Sequence, residues 1–242
     1  MPPVNHPDAT KVYRRSFFDL FSHCLLCGHQ QGKLICKACE SLLQPLPSAQ
    51  CRCGLPFNAT NGEHSLTETA PLCGRCIRHP PPFSASTAVY PYQFPVDRLI
   101  QGFKYQGKMV NERALQQLIH QAELPWPHCD LLCPLPVHWL RRWQRGFDQG
   151  ERLANLLGQQ WQRPVVQALT RYRPTPHQQG LTRSQRQRNL RQAFRCRARI
   201  QGRHILLIDD VMTTGSTARE ASRVLLDAGA ASVQVWCLAR TL

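Results

Sequence analysis

An α/β fold with a parallel sheet and helices, preceded by a small cysteine-rich zinc-binding module, is the architecture this sequence predicts, and three observations predict it. Eight of the twelve cysteines fall between residues 24 and 76, in four close pairs. Beyond residue 80, apolar residues at helical spacing alternate with short continuous apolar runs of strand length. One of those runs leads straight into an acidic pair and a hydroxyl-rich segment that opens the next helix. A chain of 242 residues with 19 prolines accommodates one medium domain and a small appendage. The boundary is accordingly placed at 1–80 for the module and 81–242 for the domain.

The cysteines come first in the chain. They are Cys24-x-x-Cys27, Cys36-x-x-Cys39, Cys51-x-Cys53 and Cys73-x-x-Cys76. A C-x-x-C turn sets two thiolates on one side of a knuckle, and two knuckles complete the tetrahedral sulfur shell that zinc prefers. Gly28, Gly54 and Gly74 each adjoin a knuckle cysteine and suit a tight backbone. One or two structural zinc ions follow, because so short and polar a segment has little core of its own. No βαβ pattern surrounds the pairs, which disfavours a thioredoxin-like redox role. His23, His29, His64 and His79 are the alternative ligands, although such histidines are more often simply exposed.

Residues 77–95 combine a proline run with turn residues and are expected to carry the chain out of the module. Val96, Leu99, Ile100 and Phe103 then fall at helical spacing, as do Leu115, Leu118, Ile119 and Ala122. Asp130-Leu-Leu-Cys133 and Ile205-Leu-Leu-Ile208 read as buried strands. Ala221, Val224, Leu225 and Ala228 give a helix that stops at Gly229, and Val233, Val235 and Cys237 alternate as a last strand. Cys133 and Cys237 thereby read as small core residues rather than nucleophiles. Gly102 to Lys108 has the glycine and lysine spacing of a nucleotide-binding P-loop, yet its helical periodicity lacks the strand that such a loop follows.

The segment Ile205 to Thr217 carries the most chemistry. A buried strand ends in Asp209 and Asp210, then passes through Thr213, Thr214, Gly215, Ser216 and Thr217 into a helix. Free N–H groups at a helix start, with hydroxyl side chains, make a nest for a phosphate monoester. Two ionised carboxylates only accept hydrogen bonds, which suits the vicinal hydroxyls of a ribose. The plainer alternative is an ordinary strand and helix in which both carboxylates cap or pair with arginine.

These thirteen residues resemble the phosphoribosyl-pyrophosphate (PRPP) signature of type I phosphoribosyltransferases. The resemblance assigns Asp209 and Asp210 to the ribose hydroxyls and residues 213–217 to the 5′-phosphate. It also implies Mg²⁺ bound together with PRPP. Purine-salvage members commonly have Asp where this chain has Thr213. The cysteine knuckles, Phe103-Lys-Tyr-Gln-Gly107-Lys108, Cys133-Pro-Leu-Pro136, Arg145-Gly-Phe-Asp-Gln149, Gln178-Gln-Gly-Leu181, Arg186-Gln-Arg-Asn189, Ala193-Phe194 and Ala239-Arg240 are similar to the ComF/GntX family over nearly the whole chain. That likeness implies a cytoplasmic protein with a type I phosphoribosyltransferase-like domain, linked to natural competence or to use of external DNA, with proteins of the DNA-uptake machinery as further partners. Relatives usually have C-x-x-C-G at the third knuckle, where this chain has C-x-C-G.

The charge agrees with an anionic partner. The net charge is +15, and 25 of the 30 cationic residues are Arg, whose planar fork grips phosphate with two hydrogen bonds. No run approaches the roughly 20 apolar residues needed to cross a bilayer, and no apolar stretch of signal-peptide length opens the chain, so a soluble cytoplasmic protein is expected. Residues 171–203 hold ten Arg, no Lys and no acidic residue. In the fold the chain resembles, this region supplies a mobile loop over the pyrophosphate, and Arg142 and Arg145 sit at the pyrophosphate loop. The candidate catalytic set is Asp209, Asp210, Arg145 and Arg183. Two function classes stay open. In one, PRPP is the donor to an unidentified acceptor; in the other, the pocket senses a nucleotide while Arg183, Arg186, Arg188 and Arg191 bind single-stranded DNA, with Trp139, Trp143, Tyr172 or Phe147 to stack bases.

Overall fold

The computed structural model describes residues 23–30, 32–57, 72–106, 109–120, 122–137, 146–172 and 193–242. In chain order the elements are α1 (Lys37–Glu40), α2 (Gly74–Arg78), β1 (Ala85–Pro91), α3 (Val96–Gln106), α4 (Met109–Ile119) and β2 (Leu131–Pro134). They continue as α5 (Gln149–Trp161), β3 (Leu169–Arg171), β4 (Phe194–Cys196), β5 (His204–Met212), α6 (Ser216–Asp227) and β6 (Ser232–Arg240).

Four strands form a sheet in the order β1-β6-β5-β2, and every pairing in it is parallel. The register sets Leu132 against Leu206 and Ile208 against Trp236. Side chains alternate between the faces, so each strand feeds two cores. Leu132, Leu206, Ile208, Trp236 and Leu238 join the core beneath α3, α4 and α5. Leu131, Cys133, Ile205, Leu207, Val235 and Cys237 join the one beneath α6 and the antiparallel pair β3-β4. Covered on both faces, β5 reads as the continuous apolar run seen in the sequence.

Cys133 and Cys237 are fully buried, as their place in the strands implies. Burial pushes the Cys133 thiol up to about 12, and it raises Cys237 too, with the Asp209 charge adding to the effect. Neither is a thiolate near neutral pH. Gly102 lies inside α3, so the P-loop lookalike has no strand before it.

Three expectations need correction. Residues 85–91 are not linker: they form β1, the sheet edge beside β6. The outer side of β1 is occupied by the module, since Gln50 donates from Nε2 to the Ala88 carbonyl, accepts from the Ala88 N–H, and Leu46 N donates to the Val89 carbonyl. A side-chain amide thus does the work of a neighbouring strand and blocks edge pairing. One helix also ends sooner than its apolar spacing suggests, α4 at Ile119 with Ala122 beyond it, whereas α6 runs to Asp227 with Ala228 as its C-cap and Gly229 at φ +94°, the expected stop. Finally, Phe147 is no base-stacking platform. It is 9% exposed, packs on Phe103 with ring centroids 5.8 Å apart, and carries the Arg152 guanidinium 4.3 Å above its ring.

Candidate functional site

The eight candidate cysteines gather into two groups of four: Cys24, Cys27, Cys36 and Cys39, and Cys51, Cys53, Cys73 and Cys76. Within each group all sulfurs lie within 4.8 Å of one another. Zinc–sulfur bonds of about 2.3 Å in a tetrahedron put sulfurs about 3.8 Å apart. Cys27 and Cys36 are separated by 3.7 Å, and Cys53 and Cys73 by 3.8 Å. Each group could therefore hold a metal ion. His23, His29 and His79 are exposed and stand outside both groups. His64 lies outside the described residues.

The shorter third knuckle closes by a tighter turn. In the first knuckle the Gly28 N–H donates to the Cys24 carbonyl, four residues back, at 2.8 Å. In the third the Gly54 N–H reaches the Cys51 carbonyl, three back, at 2.7 Å. Both glycines have left-handed backbone, at φ +74° and +73°, which a side chain would oppose. Gly74 instead begins α2.

Each group holds a thiol that is lowered beside at least one that is raised. Burial alone would raise Cys24, but N–H groups of Cys27, Cys36 and Leu26 aimed at its sulfur bring it down to about 6. Cys73 likewise overcomes burial through the Cys76 N–H and its sulfur neighbours, reaching about 7. Burial and the crowded sulfurs push Cys39 up to about 12 and raise Cys76. Four thiolates cannot ionise together without a cation among them, so this donor set suits a divalent metal.

Asp209 and Asp210 stand half-buried near the carboxyl end of β5, and the Asp210 N–H donates to Asp209 Oδ1 at 2.9 Å. All four parallel strands end on this edge, where open α/β sheets bind ligands. Gly215 is the N-cap of α6 at φ +72°, so the N-cap residue itself supplies no capping side chain. Its first turn holds no acidic residue. The Thr214 and Ser216 hydroxyls meet at 2.5 Å, and the Ser216 N–H approaches Thr214 Oγ1 at 3.4 Å. Thr213 is exposed and Thr217 half-buried. The fold thus brings together two carboxylates, hydroxyl-bearing residues and a helix start whose N-cap is a glycine, all between positions 209 and 217.

Several residues shape this edge in roles that no motif announced, although Asp148 and Arg240 belong to stretches that carry the family likeness. Asp148 caps α5, accepting from Glu151 N at Oδ1 and from Val137 N at Oδ2, each at 3.2 Å, and so ties the two ends of the β2–α5 loop. Ser86 donates to the Arg52 carbonyl at 2.6 Å. Arg240, 4% exposed at the end of β6, spends its guanidinium on backbone carbonyls. Arg219 donates to the carbonyls of His79 and Pro80, both at 3.1 Å. Arg145, Arg183, Arg186, Arg188, Arg191, Trp139 and Trp143 lie outside the described residues. Tyr172 lies under the Arg195 guanidinium, 4.3 Å from its ring.

Comparison with known proteins gives this arrangement a family. Residues 144–241 match the family model of the phosphoribosyl transferase domain. DNA utilization protein YhgH of Salmonella typhi is 38% identical in an alignment of 220 positions that covers 86% of this chain and 91% of that protein. Competence protein F of Haemophilus influenzae is 29% identical, covering 88% of this chain and 96% of its own. Competence protein ComFC of Bacillus subtilis is 25% identical, covering 90% and 95%. With such similarity along nearly the full length of both partners, and with the phosphoribosyl transferase match falling on the very strand and helix that frame the acidic pair, the chain belongs to the ComF family.

Proposed function

We propose that this chain is a cytoplasmic protein that binds PRPP, or a related ribose 5-phosphate compound, at residues 209–217 and acts in handling taken-up single-stranded DNA. One observation carries the binding half: an acceptor-only carboxylate pair near the end of β5 stands beside a helix start rich in hydroxyls with a glycine as its N-cap. Asp209 and Asp210 accept from the ribose hydroxyls. Thr213, Thr214, Gly215, Ser216 and Thr217 surround the 5′-phosphate. Mg²⁺, when bound with PRPP, supplies charge neutralisation at the pyrophosphate. Arg145 and Arg183 join the aspartates as the groups that would stabilise a departing pyrophosphate if transfer occurs.

The DNA half is supported by the relatives, whose names speak of DNA utilization and competence, and by the +15 charge. Arg183, Arg186, Arg188 and Arg191 are its proposed contacts. The module of residues 1–80 holds two zinc ions as a structural unit, and residues 81–242 form the ribose-phosphate domain.

Calorimetric titration with PRPP tests the binding. Asp209→Asn with Asp210→Asn is expected to abolish the heat of binding while leaving the unfolding transition in place. Equal affinity in wild type and double variant overturns the assignment. Pyrophosphate release during incubation with nucleobases would favour the alternative, a transferase of nucleotide metabolism without a direct DNA role.

A further inference from the structure

Arg240 gathers two distant parts of the chain onto one guanidinium. Its Nε donates to the Cys53 carbonyl at 3.1 Å, inside the second cysteine group. Its Nη1 donates to the carbonyls of Met212, at 2.8 Å, Thr213 and Thr241. All four acceptors are backbone carbonyls. The C=O and N–H groups flanking one trans peptide bond point in opposite directions. Drawing the Met212 and Thr213 carbonyls onto Arg240 therefore turns the N–H groups of Thr213 and Thr214 away from it, which sets the path of the loop that follows.

Packing repeats the connection. A Cβ built on Gly54, the residue after Cys53, would lie 3.1 Å from Met212 Cε, 3.2 Å from Ser86 Oγ and 3.8 Å from Arg240 Cδ. The knuckle is thus pressed against the residue that precedes the loop. The other half of the cysteine group is tied as well. Cys73 is the N-cap of α2, and the two carbonyls immediately after α2, those of His79 and Pro80, accept from Arg219 in the first turns of α6. One end of the segment 212–219 is therefore bonded through Arg240 to the Cys53 carbonyl of the second cysteine group, and the other through Arg219 to the two residues after α2, the helix that carries Cys76. The first group serves as a contrast. Cys24, Cys36 and Cys39 pack into the core under α3, α4 and α5, and the carbonyl of neighbouring Ile35 accepts from Gln117 of α4.

We infer that the Cys51, Cys53, Cys73 and Cys76 group controls the ribose-phosphate loop, with Arg240 as the positioning residue, so that metal held by this group and ligand held by the loop strengthen each other's binding. The inference rests on the proposal that residues 209–217 bind a ribose 5-phosphate. Such coupling is reciprocal: whatever factor the metal adds to ligand affinity, the ligand returns to metal affinity. Nothing comparable connects the first group to the loop among the described residues.

The experiment uses the full chain loaded with zinc, and ribose 5-phosphate as the probe. Calorimetry first measures its binding to wild type, and a metallochromic chelator then competes for zinc with and without saturating probe. One of the two zinc equivalents is expected to resist the chelator about tenfold better when ribose 5-phosphate is present, within the usual range of site-to-site coupling. That equivalent is the one missing from a Cys53→Ser variant. In Arg240→Met the protection disappears and ribose 5-phosphate binds about tenfold more weakly, while Arg240→Lys, which keeps one short cationic donor, recovers part of both effects. The wild-type arm needs no variant and holds should Arg240→Met fail to fold. Binding of the probe with both zinc affinities unchanged overturns the coupling and leaves the ribose-phosphate reading standing. Protection that survives in Arg240→Met overturns the role of Arg240. Failure of wild type to bind the probe overturns the reading and the inference together.

Discussion

Gly28 and Gly54 offer a controlled measurement of how firmly the second cysteine group presses on the sheet. Each follows a knuckle cysteine, and their φ angles, +74° and +73°, are nearly the same. Alanine at either site faces the same backbone penalty, about 1 to 2 kcal/mol, partly offset by the stiffer unfolded chain, so about 1 kcal/mol net. The surroundings differ. A Cβ at Gly28 meets nothing within 4 Å, whereas at Gly54 it meets Met212 Cε at 3.1 Å and Ser86 Oγ at 3.2 Å. Met212 is 1% exposed and Ser86 is held by its bond to Arg52, so neither neighbour yields easily. Overpacking of this kind adds roughly 1 to 3 kcal/mol. For a chain of this length 1 kcal/mol is worth about 3 °C. Gly28→Ala is then expected to melt about 3 °C below wild type, and Gly54→Ala about 3 to 9 °C below that. Differential scanning fluorimetry on zinc-loaded protein gives both values. Equal melting points for the two variants would refute the claim that this knuckle is packed against Met212.

Three further outcomes are expected. Protein purified without chelator carries two zinc equivalents by atomic emission; a value near zero or one removes the two-site reading of the cysteine groups. Asp148→Ala, which loses the cap of α5 and its bond to Val137 N, lowers the unfolding free energy by about 1 to 2 kcal/mol in urea titration, and an unchanged midpoint denies the cap its role. Fluorescence anisotropy with a labelled oligonucleotide shows single-stranded DNA binding that weakens with salt, and replacing Arg183, Arg186, Arg188 and Arg191 by Gln lowers the log–log slope by roughly 0.7 for each DNA phosphate those side chains had neutralised; an unchanged slope excludes that stretch as the interface.

What could be read from the residues depends on how one-sided each element's environment is. β5 lies mid-sheet with both faces covered, so burial selected an unbroken apolar run that announces a strand. β1 is an edge strand whose partner on one side is the Gln50 side chain, and its Ser86, Thr87 and Pro91 satisfy that half-open position while looking like loop. Its Thr87-Ala-Val-Tyr90 run was the available signal. The start of α5 carried a signal too, although no helix was expected there: Asp148 and Glu151 stand three apart before Leu153, Ala154 and Leu157. Phe147 then precedes the N-cap and meets Arg152 at the fourth helical position, the place of a staple residue, which is why it faces the core. The acidic pair and the cysteines were visible because their chemistry is local. Arg240 stood out only within the Ala239-Arg240 stretch of the family likeness, and its role stayed hidden, because one arginine among 25 acquires meaning only through carbonyls contributed from residues 53, 212 and 213.

The two cysteine groups are therefore not interchangeable supports. Around the first, Ile35 is fully buried and Cys36 is 2% exposed within the core that α3, α4 and α5 share. A metal there fastens the module to the helical face of the sheet, and its loss would act on folding. The second forms a small cluster of its own, with Leu55 and Phe57 beside it, and reaches the domain chiefly through polar bonds to strand ends and the start of α6. Such bonds orient backbone more than they bury apolar area, so a metal there contributes less to overall stability and more to the shape of one loop. A chain that needed only a zinc-stapled appendage would be served by the first group. Placing the second where its knuckle touches Met212, where Arg240 bonds both its Cys53 carbonyl and the start of the segment 212–219, and where the chain just after α2 meets Arg219, makes sense when the geometry of that segment has to be kept for a ligand.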